Sequence, residues 1–271
     1  MLSSRPDPSA ALTPNSPAWL LRPGWRVPPG VEAALSLRGG GVSREPWASL
    51  NLGAAVGDAA AAVAENRARW ANALGARPIW LRQVHGTAVL ELRADTPAHP
   101  ETPADAAWTL QRGIACTVLV ADCLPVLFAL RDGSAVAAAH AGWRGLAAGV
   151  LESTLQALCL GTGATSADVQ AWLGPCIGPR QFEVGADVLL AFGQPPAAVA
   201  SPGFVSRPRP DGSARWLADL AHLARDRLAA AGVAPQSVSG DGSCTVEDQS
   251  RFFSFRRDGV TGRFAAAVWR R

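Results

Sequence analysis

Short apolar runs, broken by glycine, proline or a single polar residue, alternate along the chain with alanine- and leucine-rich stretches of good helix formers. "VEAALSLRGGGVS" (31–43) predicts a short strand entering a glycine turn. "DAAAAVAENRARWANALG" (58–75) predicts a helix that starts at Asp58 and stops at Gly75. "IWLRQVHGTAVLEL" (79–92) predicts two strands broken near His85–Gly86. "GIACTVLVADCLPVLFAL" (113–130) predicts strand, turn and strand with Asp122 and Cys123 at the break. Asp122 and Pro125 argue against a membrane span there.

"SAVAAAHAGWRG" (134–145) predicts a strand ending at His140, and "LAAGVLESTLQALCLG" (146–161) a helix closed by Gly161. "VQAWLGPCIGPRQFEV" (169–184) predicts a strand and a Gly/Pro turn, and "SPGFVSRPRPDGS" (201–213) a surface loop. "ARWLADLAHLARDRLAAAGV" (214–233) is the clearest amphipathic helix. The terminal "RFFSFRRDGVTGRFAAAVWRR" predicts a hairpin turning at Asp258–Gly259 or Thr261–Gly262. Strands and helices mix without a βαβ rhythm or an internal repeat, which predicts an α+β (mixed α/β) single domain over residues 18–271. Residues 1–17, "MLSSRPDPSAALTPNSP", read as a disordered lead-in with no signal-peptide core.

Composition narrows the chemistry. All 25 basic residues are arginine, and there is neither lysine nor tyrosine. A Schiff-base lysine, a P-loop lysine and a phenolic acid or base are therefore excluded. Met1 is the sole methionine, which removes the axial thioether of a blue-copper centre, and four histidines are too few for a cluster of coppers. Arginine accompanies abundant Ala, Gly and Pro, so the net charge of +3 is weak evidence for nucleic acid, and no nucleic-acid or membrane partner is expected. Five cysteines without a CxxC pair predict a reduced, cytoplasmic chain in which cysteines are ligands, nucleophiles or core residues.

Three side chains share one context, each at the end of an apolar run beside a turn: His85 in "QVHG", Cys123 in "ADCLP" and His140 in "HAGWRG". Such a trio matches a catalytic zinc site that keeps a fourth position open, where the ion lowers the pKa of bound water. The same residues also permit a metal-free cysteine hydrolase, with Cys123 as nucleophile, His140 as base and Asp122 or Gln83 as orienter. Single copper in the trio, acting on phenols, is a third reading. Asp122, Gln83 and Cys176 are candidates for moving protons. Arg38, beside "GGG", Arg144, in a glycine-flanked turn at a helix start, and Gln83 are candidates for an anion or substrate contact. His99 and His222 read as lying outside the trio.

"LRGGGVS", "SLNLG", "WLRQVHGTAV", "ADAAWT", "TVLVADCLPVLF", "AAHAGWRGLAAGV", "LGPCIGPRQFEVG" and "CTVEDQSRFFSFRRDGVTGRFAAAVW" occur in this order from about Arg38 to Trp269. Together they resemble the YfiH/PgeF-type family, first labelled polyphenol oxidase or laccase-domain and now viewed as purine nucleoside phosphorylases with adenosine deaminase activity. The resemblance implies a four-layer α/β/β/α sandwich with mixed sheets. It implies zinc on His85, Cys123 and His140, a pocket for adenosine, inosine and methylthioadenosine, phosphate as co-substrate, and substrate or phosphate contact by Arg38. It also implies a link to the editing of peptidoglycan precursors, so a non-catalytic precursor-binding protein is a further alternative.

Overall fold

The computed structural model describes residues 17–195 and 200–271; apart from Pro17, the expected lead-in lies outside them. In chain order the elements begin with β1 (Leu20–Leu21), β2 (Val31–Ser36), α1 (Ala60–Leu74), β3 (Arg77–Trp80), β4 (Val89–Glu91) and β5 (Ala106–Thr109). There follow β6 (Ile114–Val120), β7 (Leu124–Leu130), β8 (Val136–Ala141), α2 (Trp143–Ala148), α3 (Val150–Thr162) and β9 (Val169–Leu173). Then come β10 (Glu183–Val184), α4 (Ala186–Ala191), β11 (Ala200–Ser201), β12 (Phe204–Ser206) and β13 (Trp216–Ala218). The chain ends with α5 (Leu220–Ala230), β14 (Val238–Gly240), α6 (Phe255–Asp258) and β15 (Phe264–Arg270).

One sheet runs β1-β2-β15-β6-β3 and a second β14-β9-β7-β8-β5-β4, both mixed; β10, β13, β12 and β11 form a small third sheet. The central strands are buried on both faces, and their two-residue period sorts side chains between layers. Along β15, Ala265, Ala267 and Trp269 face Trp70 and Leu74 of α1, whereas Phe264, Ala266 and Val268 face the second sheet. Along β7, Leu127 and Ala129 face the first sheet, whereas Val126 and Phe128 join Leu151, Leu155 and Leu158 of α3. The stack is α, β, β, α, the expected four-layer sandwich.

Several expected boundaries move. Helix α1 is capped at Ala59 because Asp58 turns its carboxylate to Ser43 and Asn51; Gly75, at φ 62°, ends it as expected. The helix expected over 146–161 is two helices, separated where Gly149 takes φ 102°. Gly163, not Gly161, closes the second. The long helix expected over 214–233 begins only at Leu220, since Asp219 caps it through the His222 amide and residues 216–218 pair as β13. Part of 201–213 is strand β12 rather than loop. The C-terminal hairpin does not form: after α6, β15 pairs with β2 and β6, both remote in sequence.

Gly161 is not a helix stop, because its lack of a side chain serves a tertiary contact. It lies inside α3 against the buried Trp108 indole, and a Cβ there would overlap the ring. Gly161→Ala should therefore destabilise the chain by about 1–3 kcal/mol through overpacking, opposite in sign to the gain of up to about 1 kcal/mol that helix propensity alone predicts. Denaturant unfolding of the two proteins measures the sign.

Candidate metal centre

β3 and β6 run parallel, so both leave the first sheet on the same side. Residues 81–88 and 121–123 then cross to the second sheet, where Leu124 at the start of β7 pairs with Ala141 at the end of β8. These two crossings and one strand end bring His85, Cys123 and His140 together, with their donor atoms all within 4.8 Å of one another. Cys123 Sγ lies 3.8 Å from His85 Nε2, and the two imidazoles meet edge to face at 4.7 Å between centroids. Among the described residues, the non-glycines with positive φ are His85 (62°) and Asp122 (91°), one in each crossing. Such conformations cost of order 1–3 kcal/mol and persist where surrounding contacts impose them.

Asp105 imposes the first. Fully buried just before β5, its carboxylate accepts from the amides of Val84 (3.0 Å), His85 (2.8 Å) and Gly86 (2.7 Å). It also accepts from His140 Nδ1 at 2.8 Å, which leaves Nε2 of that ring for the cluster. Burial opposes its charge, but His140 and the Gly86 and Val84 amides outweigh that and hold the carboxyl below its usual range. Burial likewise opposes a thiolate at Cys123, yet the charge of His140 and hydrogen bonds from His140 and His85 bring the thiol well down. His140 is raised in turn, since Cys123 and Asp105 outweigh its own burial. Two glycines of HAGWRG let this packing close: a Cβ on Gly142 would stand 2.7 Å from the His85 ring, and one on Gly145 2.9 Å from the Gly86 carbonyl oxygen.

The trio opens on a cavity of about 660 Å³ whose wall includes Trp80, Leu81 and Phe255 together with Arg67, Arg82 and Arg263. Other sequence candidates are placed differently. The Asp122 carboxylate accepts from Thr245 Oγ1 and the Arg256 amide, both at 2.6 Å, and is not part of the cavity wall; Asp105, not Asp122 or Gln83, orients the imidazole. Gln83 lines the cavity, but its amide closes on the Leu119 backbone in both directions. Arg38 donates to the Ala48 and Gln249 carbonyls and lies over Phe253, in a separate depression. Arg144 is exposed over its neighbour Trp143 and outside the cavity. Cys176 is buried, with its thiol pushed up by burial. His99, unexpectedly, lines the cavity, where it meets Arg67, while His222 pairs with Asp226 on α5.

A family model described as multi-copper polyphenol oxidoreductase laccase matches residues 32–271. The chain belongs to this family. A purine nucleoside phosphorylase of Pseudomonas aeruginosa is 50% identical to it over 252 residues, covering 93% of this chain and 98% of that one. YfiH of Escherichia coli, also named a purine nucleoside phosphorylase, is 47% identical over 252 residues, covering 92% and 98%. A solved Neisseria meningitidis structure of the DUF152 family is 41% identical, with a TM-score of 0.80 and coverage of 93% and 99%. YlmD from Geobacillus stearothermophilus is 32% identical, with a TM-score of 0.82 and coverage of 93% and 96%. The resemblance to YfiH read from the motifs is borne out. No helix among the described residues is long and apolar enough to cross a membrane.

The family description names several coppers, and the donor set tests that. Among the described residues the trio is the one group of three or more clustered His, Cys or carboxylate donors, and His99 and His222 are engaged elsewhere. In this laccase-family chain two imidazoles and one thiolate suit a single zinc or copper ion, not a multi-copper centre. Asp105→Asn should weaken metal binding about 10- to 100-fold, because the amide can no longer accept from three backbone N–H groups and His140 together. Competition against a chromogenic chelator measures the loss, with circular dichroism to confirm the fold.

Proposed function

We propose that the chain is a zinc-dependent purine nucleoside phosphorylase that also deaminates adenosine. Its substrates are adenosine, inosine and methylthioadenosine, cleaved by phosphate to the free base and ribose 1-phosphate or its methylthio counterpart. The carrying observation is a donor trio in the wall of a cavity that is apolar and aromatic on one part and arginine-lined on another. A volume of about 660 Å³ lies within the range of small-molecule sites, about 300–1,000 Å³. The names of the two bacterial relatives support the same reading.

In phosphorolysis the C1′–N9 bond breaks with its electron pair passing to the purine, a phosphate oxygen bonds to C1′, and the base takes up a proton. Exposed Phe255 provides flat apolar surface for the base, so that binding orients C1′ toward the anion. In deamination a water oxygen replaces the amino group at C6, which leaves as ammonia. Zinc on His85, Cys123 and His140 would supply Lewis acidity toward water or a substrate oxygen. Asp105 keeps the Nδ1 proton on His140, so that Nε2 stays available as a ligand.

One observation favours a second reading. Cys123, His140 and Asp105 form a thiol–imidazole–carboxylate series of the kind that activates a cysteine nucleophile without metal. A hydrolase of that type would survive chelation and be lost on thiol alkylation.

Purified protein, assayed for zinc and copper and incubated with adenosine, separates these readings. Adenine and ribose 1-phosphate should appear only with phosphate, and inosine without it. His140→Ala should lose bound zinc and reduce both reactions by more than the roughly 10- to 100-fold expected of an outer-shell change. Full activity in a metal-free His140→Ala protein would refute the zinc assignment.

A further inference from the structure

We propose that Arg67 and Arg263 form an oxyanion subsite in the cavity, built to take inorganic phosphate. This assignment rests on the phosphorylase reading for its role in turnover, but its physical basis is independent of it.

The cavity wall contains three arginines and neither aspartate nor glutamate. Arg82 is exposed, whereas Arg67 and Arg263 are half-buried. Among the described residues no carboxylate lies within ion-pair distance of either; elsewhere in the chain, arginines such as Arg22, Arg180, Arg209 and Arg227 each have one. Burial pulls the Arg67 guanidinium down to about 10. It lowers Arg263 as well, with Cys123 and Asp122 offsetting only part of that, and the Asp122 carboxylate is already taken by Thr245 and the Arg256 amide. Neither guanidinium is paired with a carboxylate, so each keeps its charge and its remaining N–H groups for an anion that enters the cavity.

Both side chains are also held in position. Arg67, on α1, donates Nε to the Leu52 carbonyl (2.9 Å), meets His99 Nδ1 through Nη1 (3.2 Å) and places its guanidinium carbon over the Trp80 ring at 4.3 Å. Arg263, just before β15, donates Nη1 to the carbonyls of Thr261 (3.0 Å) and Gly262 (2.9 Å). Leu52 and Gly53 bracket the pair. Leu52 receives Arg67 through its oxygen and donates its amide to the Arg263 carbonyl at 3.0 Å, while Gly53 leaves room for the Arg263 stem, which a Cβ would approach to 2.7 Å. Neither residue's full set of guanidinium N–H groups is consumed by these bonds, and a guanidinium fork matches the spacing of phosphate oxygens.

The test is a titration of inorganic phosphate into the full-length, zinc-loaded chain, followed by phosphorus NMR or calorimetry. Arg67→Gln and Arg263→Gln should each raise the phosphate Kd about 10-fold or more, the scale of a charge-assisted hydrogen bond, with zinc content and circular dichroism unchanged. Arg67→Lys and Arg263→Lys, which keep the charge, should recover part of the affinity, and Arg144→Gln, outside the cavity, should leave it at the parent value. The KM for phosphate in nucleoside cleavage should rise in step with the Kd. Parental phosphate affinity in both glutamine variants overturns the subsite, as does binding of ribose 5-phosphate with none of inorganic phosphate. If phosphate binds through these arginines but no nucleoside is cleaved, the phosphorylase reading falls and the subsite stands. If nucleosides are cleaved with an unchanged phosphate KM in both variants, the reverse holds.

Discussion

The site depends on one buried carboxylate. Asp105 accepts three consecutive backbone amides from the QVHG turn and the Nδ1 proton of His140, so a single side chain ties one crossing loop to the end of β8. A charge with no solvent contact is tolerable only because every donor reaches it. That dependence runs both ways. The turn that presents His85 holds a left-handed backbone which an isolated loop would not retain, and His140 has one ring orientation because its other nitrogen is already committed.

The sandwich supplies the rest of the geometry. Two sheets packed through alternating alanine, valine and leucine positions leave little space between them, and the chain must pass from one to the other at defined places. Because β3 and β6 are parallel, two of these passages emerge side by side, each beginning after a strand of the first sheet and ending at a strand of the second. Two of the three donor side chains, His85 and Cys123, therefore sit where the chain changes sheets, and the third, His140, at the end of a strand. Gly142 and Gly145 complete the closure by allowing the start of α2 to lie against His85, Gly86 and Cys123.

The two names attached to the relatives of this chain make different demands. A multi-copper oxidase needs many soft or imidazole donors, and only one three-donor cluster occurs among the described residues. A nucleoside phosphorylase needs a surface for the base and a place for an anion, and the cavity offers aromatic walls and arginines without carboxylates. One cavity thus joins a His/Cys/His donor trio to a wall that carries arginines and no carboxylate, which is the contrast on which the proposed phosphorylase reading rests.

Sequence by itself determined the trio and most of the strands. His85, Cys123 and His140 were legible because three donors share one context, each at the end of an apolar run beside a turn, and because the motifs that carry them resemble one family in order; any one of them alone reads as a core residue. Gly75 was legible as a helix stop for an equally local reason, its left-handed backbone. Gly161 was not, since its cause is the Trp108 ring brought in from another strand, and the C-terminal strand finds partners far away instead of the nearest turn. Asp105 carried only the faint signal of one acid inside the apolar "ADAAWT", and its four donors come from segments about 20 and 35 residues distant. Arg67 and Arg263 were hidden among 25 arginines, while the glycine context of Arg38 and Arg144 drew attention to side chains that the fold turns elsewhere. Residue type and local periodicity decide where most apolar strands and helix ends fall, but not residues 216–218 or the C-terminal strand, which tertiary pairing sets. Burial, charge balance and the company a side chain keeps belong to the tertiary structure, because they are set by contacts between segments that the sequence separates.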